Sequence, residues 1–287
     1  MKLGAEGFAR RTALNLLGIV LLGSSTGAQQ AVQQTAQPNA AQQAAVPAEQ
    51  KTVATPGIPS TGFAGLDQYR ASRIAIFTDD YGQLARYRAA DVELRGAGTV
   101  KDRVVFFGDS ITDSWKLDQY FPGKPYVNRG IGGQTTPQML VRFRQDVIEL
   151  HPRVVVILAG TNDIAGNSGP MRREDIEADL ASMAELAKAH DIAVVFSSIL
   201  PVHNYTPKSL DFFAQRPMAR ILEINAWLRE YCEKNSVVYV DYFAALVDDK
   251  GLLRKELAED GLHPNDAGFK IMAPLAEAAI GKAAGER

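Results

Sequence analysis

A serine, a histidine and an aspartate in this sequence have the types and spacing that nucleophilic catalysis requires. Ser110 lies in the run 104–113, where an apolar stretch rich in β-branched and aromatic residues predicts a buried strand that ends at Gly108. Asp260 and His263 are three residues apart, near the other end of the chain. A serine hydroxyl is a poor nucleophile until a base takes its proton, and a carboxylate orients an imidazole base. The three residues therefore predict a nucleophile, its base and the partner of that base.

Two motifs between these residues could stabilise negative charge. Residues 126–135 predict a short strand that runs into a glycine-rich turn containing Gly133, and glycine lets a backbone N–H approach a ligand closely. Residues 154–163 predict another buried strand, followed by Asn162, whose amide could donate to developing charge. Each motif alone is weak, because glycine turns and capping serines or aspartates end many strands. Their joint occurrence favours an active site.

The elements that must position these residues alternate along the chain. Apolar runs predict five strands, at 103–108, 125–129, 153–159, 192–199 and 236–241. Amphipathic patterns predict four helices, at 137–150, 174–190, 218–234 and 266–281. This order predicts an α/β fold, a three-layer α/β/α sandwich around a parallel five-stranded sheet. Ligands of such sheets bind beyond the carboxyl ends of the strands, where Ser110, Gly133 and Asn162 fall.

Three further segments carry expectations of their own. Helical spacing over 78–94, with Thr78 or Asp79 as its cap, predicts a helix on the outside of the domain. The long loop 200–217 overhangs the same edge of the sheet, and we expect at least one of its rings to line the site, from the set His203, Tyr205, Phe212 and Phe213. The single cysteine, Cys232, falls on the apolar side of a predicted helix, so we interpret it as core packing.

Four blocks of the sequence resemble those of the GDSL/SGNH hydrolase superfamily. They occur in the order of that family and span residues 104–264, as Gly108-Asp109-Ser110-Ile111, Gly133 in its turn, Gly160-Thr161-Asn162-Asp163 and Asp260-Gly261-Leu262-His263-Pro264. Ile111 stands where the family often has the leucine of its name. Residues 128–142 are similar to the branch that includes the intracellular platelet-activating-factor acetylhydrolase catalytic subunits and bacterial relatives.

The resemblance implies roles for individual residues. It implies a flavodoxin-like sandwich, with Ser110 as nucleophile, His263 as base and Asp260 as the carboxylate partner of the base. It also implies an oxyanion hole formed by the Ser110 N–H, the Gly133 N–H and the Asn162 amide, and no metal or organic cofactor.

Other site types find no match in the sequence. The α/β-hydrolase elbow is absent, because Gly166-Asn167-Ser168-Gly169-Pro170 breaks Gly-x-Ser-x-Gly at its last position. The turn at Gly130 stops short of a dinucleotide-binding motif, since Thr135 takes the place of the last glycine. The four histidines are scattered, at no familiar metal-ligand spacing. The formal net charge of −2 gives no electrostatic case for nucleic acid or an anionic membrane.

The first 60 residues predict export. Basic residues precede an apolar run at 12–23, and small residues continue to Ala28, so residues 1–28 are interpreted as a signal peptide. The run is shorter than the roughly 20 residues that span a bilayer, and no cysteine follows it, so neither a stable membrane anchor nor a lipoprotein anchor is expected. Residues 29–60, rich in Gln, Ala and Pro, predict a disordered linker before a catalytic domain at 61–287.

Together these patterns predict an exported serine esterase, periplasmic or extracellular, that hydrolyses small acyl esters, with acetyl the favoured group. A lysophospholipase and an O-acyltransferase acting on glycans stay open as alternatives, as does a non-catalytic binding module on the same fold. The sequence names neither the ester nor the oligomeric state.

Overall fold

Five parallel strands form the centre of the protein. The computed structural model describes residues 59–98 and 100–285, so the predicted signal peptide and nearly all of the predicted linker lie outside the described residues. The strands are β1 (Val104–Gly108), β2 (Tyr126–Gly130), β3 (Val154–Leu158), β4 (Ala193–Ser197) and β5 (Val238–Val240). They lie in the order β2-β1-β3-β4-β5, the flavodoxin-like arrangement. The predicted fold class is confirmed, with all five strands where the apolar runs place them.

Helices cover the sheet and connect its strands. In the described residues the α-helices are α1 (Ala64–Ser72), α2 (Ile74–Asp79), α3 (Arg88–Gly96), α4 (Ser110–Asp113), α5 (Leu117–Tyr120), α6 (Thr136–Asp146), α7 (Thr161–Ala165), α8 (Arg173–Lys188), α9 (Leu210–Gln215), α10 (Met218–Asn235), α11 (Tyr242–Leu246) and α12 (Asp266–Ala283). Short 3₁₀ turns lie at Ile148–Leu150, Pro207–Ser209 and Lys255–Leu257. The four predicted connecting helices correspond to α6, α8, α10 and α12.

The core has two halves, one on each face of the sheet. Val105 and Phe107 of β1 belong to the half that contains buried side chains of α6, α8 and α10. Val104 and Phe106 belong to the other half, with buried side chains of α12. Successive side chains of a strand point to opposite faces, so a strand buried on both faces reads as a continuous apolar run. Cys232 packs in the first half as predicted, and burial raises the pKa of its thiol to about 12.

The prediction of one continuous helix over 78–94 is wrong, because residues 80–87 are not helical. The chain forms α2, then turns, and starts a new helix at Arg88. The Asp80 side chain accepts hydrogen bonds from the N–H groups of Leu84 and Ala85, and Gln83 has a left-handed φ of 53°. A Cβ on Gly82 would lie 2.7 Å from Val141 of α6. The local capping and this close approach outweigh the helical periodicity.

Several short helices lie where no helix was predicted, among them α1 and α9. Helix α1 precedes the region of the motifs, and α9 lies inside the segment 200–217 that was expected to be a loop. Both are short, and apolar periodicity over one or two turns is a weak signal.

The order of the strands fixes where a site is expected. The chain leaves β1 toward β2 on one side and later returns to β3 on the other, so β1 and β3 flank a switch point, where crevices form at the carboxyl edge. Ser110 follows β1, and Asn162 follows β3. Among the described residues, no helix combines the length and the hydropathy that crossing a membrane requires.

Candidate active site

Ser110 lies in the tight corner between β1 and α4. The Asp109 side chain caps the helix by accepting the Ile111 N–H at 3.0 Å. A Cβ on Gly108 would lie 2.7 Å from the carbonyl oxygen of Leu158, so close packing of β1 against β3 requires glycine there. Ser110 is the first residue of α4, and its N–H therefore has no acceptor in a preceding turn. The corner thus presents a hydroxyl and an N–H at the same point.

A hydrogen-bonded chain links the three predicted residues at one end of the sheet. Ser110 Oγ lies 2.8 Å from His263 Nε2, and His263 Nδ1 lies 2.7 Å from Asp260 Oδ2. Both distances are within the range in which a base accepts a proton from a nucleophile while a carboxylate orients it. The structure therefore brings together Ser110 and His263, which are 153 positions apart in the sequence.

The Asp260 carboxylate is held in its charged form. Burial alone would raise its pKa, but hydrogen bonds from the His263 ring and from the N–H groups of His263 and Leu262 lower the pKa well below its usual range. Gly261 has a φ of +80°, and a Cβ there would lie 2.6 Å from the carbonyl oxygen of His203. A glycine at this position is what allows the loop to place both Asp260 and His263.

Gly133 lies in the turn after β2 with a φ of +78°. Its carbonyl accepts hydrogen bonds from Asn167 Nδ2 at 3.0 Å and from Tyr69 Oη at 3.3 Å, whereas its N–H has no acceptor in the part of the chain that is described. The Cβ position of Gly132 lies 3.8 Å from Ser110 Cβ, so the turn lies beside the serine. The geometry leaves a backbone donor available next to the hydroxyl.

Asn162 is buried in α7, and both the oxygen and the nitrogen of its side-chain amide form hydrogen bonds. Its Oδ1 accepts from Asn167 Nδ2 at 3.0 Å and from Arg216 Nη2 at 3.3 Å. Its Nδ2 donates to the Gln134 carbonyl at 3.0 Å and, at a longer 3.3 Å, to Asp109 Oδ2. Both N–H groups of the amide therefore have acceptors, and a further acceptor beside Ser110 would have to replace one of them. Asn162 thus lies beside the serine, but its second N–H is shared in this structure.

A cleft of about 470 Å³ opens over these residues. We call Ser110, Gly133, Asn162 and His263 the cleft floor. We call the side chains that α1, α9 and their flanking residues contribute the cleft walls, namely Leu66, Tyr69, Arg73, Lys208, Asp211 and Phe212. The Phe212 ring meets the His263 ring edge to face at 6.0 Å between centroids. Phe212 is therefore the member of the predicted loop set that lines the site.

The other aromatic residues of that loop have structural contacts. His203 is fully buried; its Nδ1 accepts the Tyr205 N–H at 3.2 Å, so its Nε2 donates to the Ala258 carbonyl at 2.9 Å. Tyr205 donates to Asp248, and Phe213 packs against the core. His203 N–H also donates to the Gly261 carbonyl at 3.0 Å, and this contact braces the loop that carries His263.

Sequence reasoning missed several residues of the site, four of which have contacts that shape it. Arg216 and Asn167 orient Asn162, while Tyr69 and Leu66 come from a helix that was not predicted. No short motif marks them, because each reaches the site by tertiary packing. In the described residues, no group of three or more histidine, cysteine, aspartate or glutamate side chains is arranged to hold a metal ion.

The chain matches the model of the GDSL-like lipase/acylhydrolase family over residues 106–271, more than half of its length. A solved GDSL-like lipase from Bacteroides thetaiotaomicron is 38% identical, with a TM-score of 0.65, and the match covers 71% of this chain and 100% of that one. A structure from Streptococcus pneumonia, described as a candidate platelet activating factor, is 25% identical with a TM-score of 0.60, covering 73% and 99%.

Two curated proteins are also similar to the chain. An acetylxylan esterase of Geobacillus stearothermophilus is 27% identical over 206 residues, which cover 60% of this chain and 90% of the esterase. An uncharacterized lipoprotein of Bacillus subtilis is 27% identical over 147 residues, 45% of this chain, and the match spans only 60% of the lipoprotein's length.

Proposed function

Because the chain belongs to the GDSL-like lipase/acylhydrolase family, we propose that Ser110, His263 and Asp260 form its catalytic triad. Membership makes the chain a carboxylic ester hydrolase. The observation that carries the proposal is the continuous hydrogen-bonded chain from Ser110 Oγ through the His263 ring to Asp260, at the base of an open cleft.

In the proposed acylation step, Ser110 Oγ attacks the ester carbonyl while His263 Nε2 takes its proton. The carbonyl electron pair moves onto oxygen, and the resulting oxyanion accepts hydrogen bonds from the N–H groups of Ser110 and Gly133 and from the Asn162 amide. Asp260 keeps Nδ1 protonated and stabilises the imidazolium. Collapse of this intermediate breaks the bond to the alcohol, which takes the proton from His263.

Deacylation repeats the chemistry with water. His263 removes a proton from water, which attacks the acyl-Ser110 carbonyl, and the serine oxygen leaves as it regains the proton. The floor geometry serves both steps, because the same donors face the oxyanion in each. Every step of the proposed cycle uses residues of the floor together with Asp260.

The proposed substrates are small acyl esters, with acetyl the favoured acyl group. The cleft walls place Leu66, Tyr69 and Phe212 around the same cleft as Ser110, so these side chains could contact the acyl group. Similarity to an acetylxylan esterase supports an acetylated glycan as the class to test first. Lysophospholipids and transfer of the acyl group to a glycan hydroxyl are the alternatives that the same chemistry permits.

We also propose that the protein is exported. The basic residues and the apolar run of the first 28 residues have the pattern of a signal peptide, and one relative is a lipoprotein. Cell fractionation with N-terminal sequencing tests this: export predicts a mature chain that starts near residue 29 outside the cytoplasm. Full-length protein confined to the cytoplasm would reject export.

A substrate screen tests the proposed activity. Acetylated xylooligosaccharides, aryl acetates, aryl butyrates and a lysophosphatidylcholine are incubated with the protein, with Ser110→Ala and with Ser182→Ala. Ser182, which is partly exposed on α8, is a matched control. The proposal predicts release of acetate from the glycan and the aryl ester by the protein and by Ser182→Ala, but not by Ser110→Ala. Preferential release of long-chain fatty acid would replace the acetyl assignment with the lipid alternative.

A further inference from the structure

A buried arginine lies between the cleft floor and one cleft wall. Arg216, 2% exposed, follows α9 and lines the cleft. Its guanidinium donates to three oxygens: Thr161 Oγ1 at 3.0 Å, Asn162 Oδ1 at 3.3 Å and the Phe212 carbonyl at 3.3 Å. It also lies over the Phe212 ring, 5.4 Å from the centroid. One side chain thus joins α7, which carries Asn162, to α9, which carries Phe212.

No carboxylate among the described residues forms a direct ion pair with Arg216. Two other buried arginines, Arg129 and Arg142, each pair with a carboxylate, whereas the hydrogen bonds of Arg216 in the described residues all go to uncharged oxygens. Burial lowers the pKa of Arg216 to about 10, although the charges of Asp109 and Asp260 oppose the shift. With a pKa of about 10, the Arg216 guanidinium remains protonated near neutral pH. It therefore places a positive charge within the site that no carboxylate among the described residues contacts directly.

The contacts of Arg216 decide which way the Asn162 amide faces. Arg216 and Asn167 both donate to Oδ1, so the oxygen end is fixed between two donors. The nitrogen end then faces the Gln134 carbonyl and Asp109. A flipped amide would place an N–H against the guanidinium and an oxygen against the Gln134 carbonyl, and both contacts are repulsive.

We propose that Arg216 is a positioning residue for ester hydrolysis, which keeps an Asn162 N–H directed to the oxyanion and polarises that amide. The proposal rests on the proposed function, because it requires Asn162 to stabilise the oxyanion. A cation on the carbonyl oxygen of an amide draws electrons from its nitrogen and strengthens the N–H as a donor. As negative charge develops on the substrate, the Arg216 charge also acts on it through the amide in a site of low dielectric.

A double-mutant cycle between Arg216 and Asn162 tests the proposal. Arg216→Met keeps much of the side-chain volume and removes both the charge and the donors, and it is combined with Asn162→Ala. The proposal predicts that Arg216→Met alone lowers kcat on an aryl acetate by about 10- to 100-fold with little change in KM, because the donor is misplaced only for the transition state. In the Asn162→Ala background the same substitution should change kcat less than about threefold.

Two controls separate positioning from folding. Arg103→Met removes another buried arginine, which precedes β1 and donates to backbone carbonyls at the opposite end of the sheet. It should lower the unfolding midpoint and leave kcat unchanged. Arg216→Lys keeps the charge but loses the planar fork, so its kcat should lie between those of the protein and of Arg216→Met. If Arg216→Met fails to fold, Arg216→Lys replaces it in the cycle.

The outcomes are distinct. Equal losses of kcat from the Arg216 substitution with and without Asn162 would overturn the proposal, as would a change in KM alone. An unchanged kcat in Asn162→Ala would also overturn it, while leaving the triad intact if Ser110→Ala is inactive. Full activity of Ser110→Ala would instead reject the proposed function itself.

Discussion

The floor and the walls of the cleft are built in different ways. Each residue of the floor lies a few residues after the end of a strand or in a short glycine-containing loop, and hydrogen bonds fix the turns that carry Ser110, Asn162 and His263. The walls come from short helices that reach the site by packing. Lys208 and Asp211 of one wall are exposed, and the other wall belongs to α1, which precedes the family match at 106–271.

This difference suggests a division of labour between rate and selectivity. Groups that act on developing charge must be fixed before the reaction, so they belong on a rigid sheet edge. Groups that contact the rest of the substrate affect which ester binds, and they can vary without disturbing the chemistry. Substitutions in the floor should therefore slow every ester by a similar factor, whereas substitutions in the walls should change the ratio between esters.

The largest expected effect is the loss of the triad. Ser110→Ala and His263→Ala should each lower kcat by about 10⁴- to 10⁶-fold, and the double variant should lose little more, because the two residues act as a unit. Initial rates on aryl acetate and aryl butyrate, with circular dichroism to verify folding, check this. Losses that multiply in the double variant would mean that the two side chains act independently.

Removal of the floor amide should have the next largest effect. Asn162→Ala should lower kcat by about 10²- to 10³-fold with a small change in KM, and by the same factor for acetyl and butyryl esters. If Asn162 only caps the turn after β3, the substitution should cost about 1 kcal/mol of stability and leave kcat intact. Measuring kcat, KM and the unfolding midpoint on the same preparation decides between the two.

Wall substitutions should change selectivity more than rate. Tyr69→Ala and Phe212→Ala open space beside the serine, so the ratio of kcat/KM for butyryl over acetyl esters should rise by about 10-fold. Tyr69→Phe keeps the ring and loses only the hydroxyl that donates to the Gly133 carbonyl, so its ratio should stay close to that of the protein. A uniform loss for both esters in Tyr69→Ala and Phe212→Ala would assign these residues to the floor.

Asp163 follows Asn162 in α7, and we expect it to affect stability rather than turnover. Its Oδ1 accepts from the N–H and the hydroxyl of Thr136, its Oδ2 has no partner among the described residues, and burial raises its pKa to about 7. Because the unfolded chain releases this proton near pH 4, the folded state binds more protons between pH 4 and 7. The contribution of Asp163 to stability is therefore present at low pH and is lost as the pH rises to about 7.

Asp163→Asn should remove that dependence. The amide oxygen retains the acceptor for Thr136, so the variant should gain stability relative to the protein by up to about 1.4 kcal/mol for each pH unit between 4 and 7. Denaturant unfolding at several pH values measures this, with Asp118→Asn on the exposed surface of α5 as control. Parallel stability profiles for the protein and Asp163→Asn would show that this carboxyl titrates as it does in the unfolded chain.

The sequence predicted the floor well because the floor is encoded locally. A buried apolar run followed by Gly108, Asp109 and Ser110 specifies a strand and a tight turn within seven residues. The residues of the walls could not be predicted in this way, because they reach the site through contacts between distant segments. No pattern within α1 indicates that Tyr69 will meet Gly133, and Arg216 becomes a partner of Asn162 only after α9 folds over α7.

Covalent labelling of Ser110 tests the central claim most directly. A fluorophosphonate reacts with a serine only when a base activates the hydroxyl and donors stabilise the developing oxyanion. The account predicts one adduct per chain, located on the peptide that contains Ser110 by mass spectrometry, with loss of esterase activity in step with labelling. His263→Ala should label far more slowly, and Ser110→Ala not at all. Loss of activity with the adduct on another residue, or continued ester turnover with Ser110 fully labelled, would contradict the account.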